Sequence, residues 1–263
     1  MVEMVIAQSK CSHIRLAIVC PMANEMSTAA AFVQEVMDVC RPFHFKDIRF
    51  YAIFDLASRD GTKDALEALV ARQAIQGLEI IFAPENRNVV DAYKRGYREA
   101  LSNDFDWILE IDAGYSHQPA DIPQFFHTML DGGFDCVFGS RFLKGGRITG
   151  GSLSRYLVSF GGTQLTNLLL GTGLQDMTSG FELFRKEALE WILKKGIFSR
   201  GPFFQTEIKA HAHHFKIAEV PINYRSATHH VHQKALLDAL KNLSRLCSLR
   251  WKNELSMKKS NGS

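Results

Sequence analysis

From His13 to Ser140, short apolar runs alternate with stretches whose apolar residues recur every three or four positions. The runs "HIRLAIVC" (13–20), "DIRFYAIFD" (47–55), "LEIIFAP" (78–84), "DWILEID" (106–112) and "FDCVFGS" (134–140) read as five buried strands. Between them, "TAAAFVQEVMDVC", "KDALEALVARQAI", "NVVDAYKRGYREAL" and "PADIPQFFHTML" carry helical spacing. In the third of these, Val89, Ala92, Tyr93, Gly96 and Ala100 share one face. Thr62 stands where a helix cap is expected. Regular alternation of this kind predicts βαβ units and an α/β fold with a mainly parallel central sheet flanked by helices.

The second half has a different texture. "GGRITGGS" (145–152) is glycine-rich and expected to be a mobile loop. "SRYLVSFGGTQLTNLLLG" reads as a helix with internal glycines, and "DMTSGFELFRKEALEWIL" as a loop, a short strand and a helix. "FKIAEVPINYRS" reads as a strand that ends at Pro221 or just beyond. From His232 onward, Leu236, Leu237, Leu240, Leu243, Leu246 and Trp251 form a helical stripe among Lys234, Lys241, Arg245, Arg250 and Lys252. The final "MKKSNGS" is expected to be disordered. The division this suggests is one α/β domain over 1–231 and a basic amphipathic helix and tail over 232–263.

Composition narrows the class. The chain has 263 residues, 46% of them hydrophobic, and a net charge of +3, which does not mark a nucleic-acid-binding protein. Five widely spaced cysteines (Cys11, Cys20, Cys40, Cys136, Cys247) with no CxxC read as reduced thiols of a cytoplasmic protein. No run approaches the roughly 18 apolar residues of a membrane span, so any work at a membrane would be done at its surface. The histidine groups "HAHH" (211–214) and "HHVH" (229–232) lack the cysteine or carboxylate that would complete a zinc set.

Polar residues gather just after strand ends: Asn24 and Glu25, Asp55 to Asp60, Asp112, and Ser140 with Arg141. Open α/β sheets bind ligands there. Asp112 ends an apolar strand, and a buried carboxylate is costly without a partner. A divalent cation, which takes oxygen ligands, is one partner, and a turn or a helix cap is another. Asp55 could accept from a base or a ribose hydroxyl. There is no G-x-G-x-x-G and no G-K-[ST], which disfavours a dinucleotide site or a P-loop.

These residues resemble a family. "CPMANE" is similar to the P-x-x-N-E opening of family 2 glycosyltransferases, through Pro21, Asn24 and Glu25. "DLASRDGT" resembles D-D-x-S-x-D-G-T, through Asp55, Ser58, Asp60, Gly61 and Thr62. "EIDAGYSHQP", "GSRFLKGG", "SRYLVSFGG", "DMTSGFELF" and "EVPINY" with Lys234 resemble successive segments of dolichol-phosphate mannose synthases and related polyprenol-phosphate glycosyltransferases. The resemblance covers about residues 14–235 and implies a GT-A fold. It further implies an inverting transfer of a sugar from a nucleotide-diphosphate sugar to a polyprenyl phosphate. Pro21, Asn24, Glu25, Asp55, Ser58, Asp60, Asp112 and Ala113 would surround the nucleotide. Asp112, with Ser116, would hold Mg²⁺ or Mn²⁺. Arg141, Arg155, Ser159 and Lys234 would hold the acceptor phosphate, a task suited to the arginine fork.

The pattern breaks at Gly114, where the family usually has a second Asp, and at Asn88, where a glycine is common and a left-handed backbone is expected. A phosphate acceptor is already ionised and needs no strong base, whereas a sugar hydroxyl would need one, for which Asp176 is the candidate. The basic C-terminal helix could lie on an anionic membrane face or pack on the domain or in a homodimer. Two other functions stay open: glycosyl transfer to a glycan hydroxyl, and nucleotide-sugar binding without turnover. A nucleotidyltransferase is disfavoured because "PMANEMS" lacks a glycine-rich basic loop.

Overall fold

The computed structural model describes residues 11–226 and 233–252, with the side chains of Arg155 and Gln233 outside it. The "HHVH" group and the "MKKSNGS" tail also lie outside the described residues.

The five expected strands form, as β1 (Arg15–Pro21), β2 (Asp47–Phe54), β3 (Leu78–Phe82), β4 (Trp107–Glu110) and β5 (Cys136–Ser140). With β7 (Glu182–Arg185) and β8 (Ile217–Pro221) they make a seven-stranded sheet in the order β3-β2-β1-β4-β7-β5-β8. All pairings are parallel except those of β7, which runs antiparallel between β4 and β5. Side chains alternate across a strand, and β1 shows both faces buried. Leu16, Ile18 and Cys20 enter one core with Phe32, Val36, Phe125 and Phe126. Ala17 and Val19 enter the other with Ile53, Tyr93, Tyr97 and Ile192.

The first core is covered by α1 (Ala29–Cys40) and α4 (Ile122–Gly132), the second by α3 (Val89–Ser102) and α6 (Lys186–Lys195). Helix α2 (Thr62–Ala71) borders β3. Helix α3 lies very close to the sheet: a Cβ at Gly96 would sit 2.4 Å from Val19 Cγ1 and 2.8 Å from Ile53 Cδ1. Helix α7 (Phe204–Ala212) adds Phe204 and Ile208 to the second core and packs on α6 and on α8 (Gln233–Trp251), which in turn packs on α5 (Leu153–Leu170). Leu243 and Leu246 of α8 are buried, and Arg245 donates to Glu207 of α7 at 2.9 Å. The C-terminal helix is thus docked on the domain.

Several expectations need correction. Thr62 is the first residue of α2 and not its cap; the cap is Gly61 at φ +84°. That helix stops at Ala71 because Gln73 turns left-handed, at φ +53°. Asn88 is extended, at φ −163°, and caps α3 by accepting from Asp91 N at 3.1 Å. The segment 145–152 is not wholly loop: Arg147–Thr149 forms β6, parallel to β9 (Asn223–Arg225). The expected last strand splits into β8 and β9 at Ile222, whose N–H donates to Ser140 O at 3.0 Å while its carbonyl accepts from Arg147.

Candidate functional site

The chain fills the sheet from β1 outward to β3, then returns to place β4 on the other side of β1. That reversal is the switch point where open sheets bind ligands. Because β7 is antiparallel, its entry loop "DMTSG" arrives at the same edge where the parallel strands end. Asp176 and Arg141, 35 positions apart, therefore meet there.

A cleft of about 400 Å³ opens at the ends of β1, β2 and β3. Pro21, Asp55, Arg59, Asn86, Arg87 and Asn88 are among its lining. Its rim is tied by Asn24, whose left-handed backbone (φ +60°) lets the side chain donate to Ala57 O and accept from Arg59 N, each at 3.0 Å. Asp55 accepts from Ala57 N at 2.8 Å. Asp60 bridges the two loops, accepting from Met26 N and Thr62 N, each at 3.0 Å, and from the Thr62 hydroxyl. That hydroxyl contact, the largest influence, lowers the Asp60 pKa. Among the predicted nucleotide residues, Pro21 and Asp55 line the cleft, while Asn24 and Asp60 shape it. Ser58 is half-buried in the same loop, its N–H donating to Asp55 O. Arg59 and Arg87 also line the cleft, but they stand outside the motif positions, and nothing in their sequence context marks them as cleft residues.

Asp112 follows β4. The buried Tyr93 donates its hydroxyl to one carboxylate oxygen. The side chain is nevertheless 43% exposed. Behind it, Asp112 N donates to Nδ1 of His117 at 3.2 Å. Burial pushes the His117 pKa down to about 4, against the pull of Asp112, so the ring is neutral at pH 7 and is no counter-ion. Ala113 packs against the first core, and Ser116 is half-buried and accepts from Arg225 N through its carbonyl. Gly114 has φ +71°, and a Cβ placed there would lie 2.7 and 2.8 Å from the two carboxylate oxygens of Glu25. Among the described residues no three His, Cys, Asp or Glu side chains gather to hold a metal unaided.

Beyond β5, Arg141 is buried. Its Nε and Nη2 donate to Asp176 at 2.7 and 2.8 Å, its backbone N–H to the same carboxylate at 3.1 Å, and Nη2 to Thr178 at 2.5 Å. Asp176 also accepts from Thr178 N at 3.0 Å. Burial disfavours both charges, but the paired contact outweighs it: the Asp176 carboxyl is held below its ordinary value and the Arg141 guanidinium above. Asp176, the candidate base for a hydroxyl acceptor, is here a fully buried carboxylate engaged by five donors. Tyr224 joins the two halves: its ring lies 5.4 Å from His117 and 5.3 Å from the Arg141 guanidinium. Ser159 is half-buried on α5, whose Tyr156 and Phe160 pack on Phe142, each at 5.4 Å. The side chain of Arg155 lies outside the described residues. Lys234 is exposed in the first turn of α8.

Under this floor lies a buried polar network. Glu110 and Glu182 face each other across β4 and β7. Tyr97 and Gln205 donate to Glu110, and Lys209 donates to Glu182 and to Ser179 O. Burial, then the charge of Glu182, pushes Glu110 well above the ordinary carboxylate range. Single-strand reading could not find this pairing, since it depends on β7 inserting antiparallel.

Residues 17–193 match the pattern of glycosyl transferase family 2. The chain belongs to that family. It is 30% identical over 174 residues to the undecaprenyl-phosphate mannosyltransferase of Micrococcus luteus, covering 65% of this chain and 70% of that protein. It is 27% identical over 212 residues to the polyprenol monophosphomannose synthase of Mycolicibacterium smegmatis, covering 80% and 77%. Its fold, GT-A, matches that of the glucosyl-3-phosphoglycerate synthase of Mycobacterium tuberculosis, with a TM-score of 0.61 at 16% identity over 98% of this chain and 86% of that one. That synthase has also been solved with Mg²⁺ and uridine diphosphate, at TM-score 0.57, 17% identity and coverage of 98% and 85%. This family 2 glycosyltransferase has no helix, among the described residues, long and apolar enough to cross a membrane.

Proposed function

We propose that this glycosyltransferase moves a sugar, with inversion, from a nucleotide-diphosphate sugar to a polyprenyl phosphate. The observation that carries this reading is the Arg141–Asp176 pair. The carboxylate best placed to act as a base instead orients an arginine, so the site supplies a cation for an acceptor that is already ionised. The names of the two polyprenyl relatives support the same acceptor and suggest mannose as the first donor sugar to assay.

In this reading the cleft between β1, β2 and α3 receives the nucleoside, and Arg59 and Arg87 face its phosphates. Asp112 is the side chain that would hold a divalent cation, with Ser116 and the diphosphate oxygens completing the set. Hard oxygen donors on a part-exposed turn fit Mg²⁺ or Mn²⁺. When bound, the cation would neutralise the leaving diphosphate. Tyr93 fixes the rotamer of Asp112, and neutral His117 holds its backbone. Nη1 of Arg141, the donor the ion pair does not use, would take an acceptor oxygen, a task we extend to Arg155, Ser159 and Lys234. An ionised phosphate oxygen then attacks the anomeric carbon opposite the diphosphate, with no proton to remove.

A lipid acceptor brings the protein to a bilayer, as a peripheral protein. We assign that contact to the outer faces of α5 and α8, where Leu157, Leu165, Leu168, Leu237 and Leu240 are exposed.

The test is an acceptor panel with radiolabelled GDP- and UDP-sugars: a short polyprenyl phosphate, the matching polyprenol, and free mono- and disaccharides. Product is expected only with the phosphate. Transfer confined to saccharide hydroxyls would overturn the reading.

A further inference from the structure

Glycine at 114 leaves the turn after β4 one carboxylate short, and the structure shows what stands in that space. An Asp at 114 would project a carboxyl group one bond beyond its Cβ. The Cβ position at Gly114 lies 2.7 Å from Oε1, 2.8 Å from Oε2 and 2.9 Å from the carboxyl carbon of Glu25. Both oxygens are nearer than real Cβ contacts allow, so the Glu25 carboxylate already occupies the place a side chain at 114 would need. We infer that Glu25 supplies the second carboxylate of the divalent-cation site, reaching across from the loop after β1 to work with Asp112. This rests on the reading of the site as one for a nucleotide diphosphate and its cation.

The local structure holds Glu25 in that pose. Asn24, at φ +60°, turns the chain back toward β4. The Glu25 N–H donates to Thr62 Oγ1 at 2.9 Å, and the Glu25 carbonyl accepts from Thr28 N at 2.9 Å and Ala29 N at 2.8 Å, at the start of α1. Thr28 Oγ1 donates to Oε2 at 3.1 Å and steers the side chain. Gly114 is required twice over: it takes φ +71° without strain, and it has no Cβ to displace the carboxylate. Glu25 and Asp112 together give two hard, anionic oxygen ligands from two different loops, and a bound diphosphate would supply the rest. Mg²⁺ is commonly held by one or two carboxylates plus phosphate oxygens. The two loops would then be linked by the ion, not by a D-x-D turn alone.

The experiment is calorimetric titration of UDP and of GDP into the full-length protein, in Mn²⁺ and in EDTA, with thermal melts to verify folding. For the wild type, Mn²⁺ is expected to tighten binding of one nucleotide by about tenfold or more, the scale at which charge count tunes such sites. Glu25→Gln should abolish that gain, read as the ratio of the affinities in Mn²⁺ and in EDTA. Gly114→Ala, which keeps Glu25 but pushes its carboxylate aside, should do the same. Glu25→Ala combined with Gly114→Asp, which moves the carboxylate to the other loop, should restore the gain. A full Mn²⁺ gain in both Glu25→Gln and Gly114→Ala would overturn the inference. So would a wild type that binds nucleotide equally well in EDTA, an outcome that leaves the glycosyltransferase reading standing. Failure of both nucleotides to bind under either condition would remove the donor reading and the inference with it.

Discussion

Individual side chains here are defined more by what surrounds them than by their type. Asp176 and Asp112 are both acids at the sheet edge. One is sealed and paired, the other is part-exposed and tethered by Tyr93. His211 shows the same principle away from the site. It is almost wholly buried in α7, and burial pushes its pKa down to about 4 despite nearby Glu207. The folded state therefore keeps the ring neutral while the unfolded chain protonates near pH 6.5. The unfolded state binds more protons between those values, so the contribution of His211 is fully present above pH 6.5 and is lost as pH falls toward 4. A shift of that size corresponds to roughly 3 kcal/mol. Glu182, raised by burial to about 7, acts in the opposite sense, losing its contribution as pH rises. The single variant separates them: His211→Gln should flatten the decline in urea-measured stability from pH 6.5 to 4. Parallel curves for variant and wild type would mean the ring is not held neutral.

Elements with strong periodicity were legible, and those defined by partners were not. The strands β1 to β5 and helices α1 to α4 stand close to their expected positions because burial on both sheet faces writes continuous apolar runs. The loop motifs after β1, β2 and β4 were legible as polar clusters for the same reason. The insertion of β7 between β4 and β5, the three-residue strands β6 and β9, and helix α7 were missed. Each is short, and each is fixed by a neighbour far along the chain, as Arg147 is by Asn223. The contact between Glu25 and Gly114 belongs to this second kind, since the motif shows a missing Asp but not what fills its place. Gly96 shows how close packing of elements can hide in an ordinary helical pattern. Alanine is the better helix former by about 1 kcal/mol. A Cβ there would nonetheless overlap Val19 and Ile53, both buried in the sheet. Overpacking of this kind costs about 1–3 kcal/mol. Gly96→Ala should therefore lower the denaturation midpoint with an unchanged slope, and a stabilised variant would show that α3 can lift off the sheet freely.

At the scale of the whole molecule, α5 is inverted relative to a helix facing water. Thr163 and Thr166 point into the protein and are buried, Thr163 accepting from Met177 N at 3.1 Å. Leu157 is 57% exposed and Leu168 is 77% exposed on the opposite side. Helix α8 beside it buries Leu243 and Leu246 and exposes Leu236, Leu237 and Leu240, with Lys234, Lys241 and Lys252 also outward. In the proposed reading these exposed leucines are the lipid contact, and the basic residues of α8 would add about 1 kcal/mol each on an anionic lipid surface. Removing α8 would be a poor test, because Arg245 and Leu246 are part of the packed domain. Surface substitutions avoid that problem. Wild-type protein should float with vesicles containing a fifth phosphatidylserine or phosphatidylglycerol. Leu165→Glu with Leu168→Glu, and separately Leu237→Glu with Leu240→Glu, should remain in the dense fraction with unchanged melting temperatures. Raised salt should weaken but not abolish wild-type flotation, because the apolar part of the attraction is not screened. Wild-type protein that stays unbound, yet sediments as a dimer that the same substitutions split, would assign this face to a second copy of the chain instead.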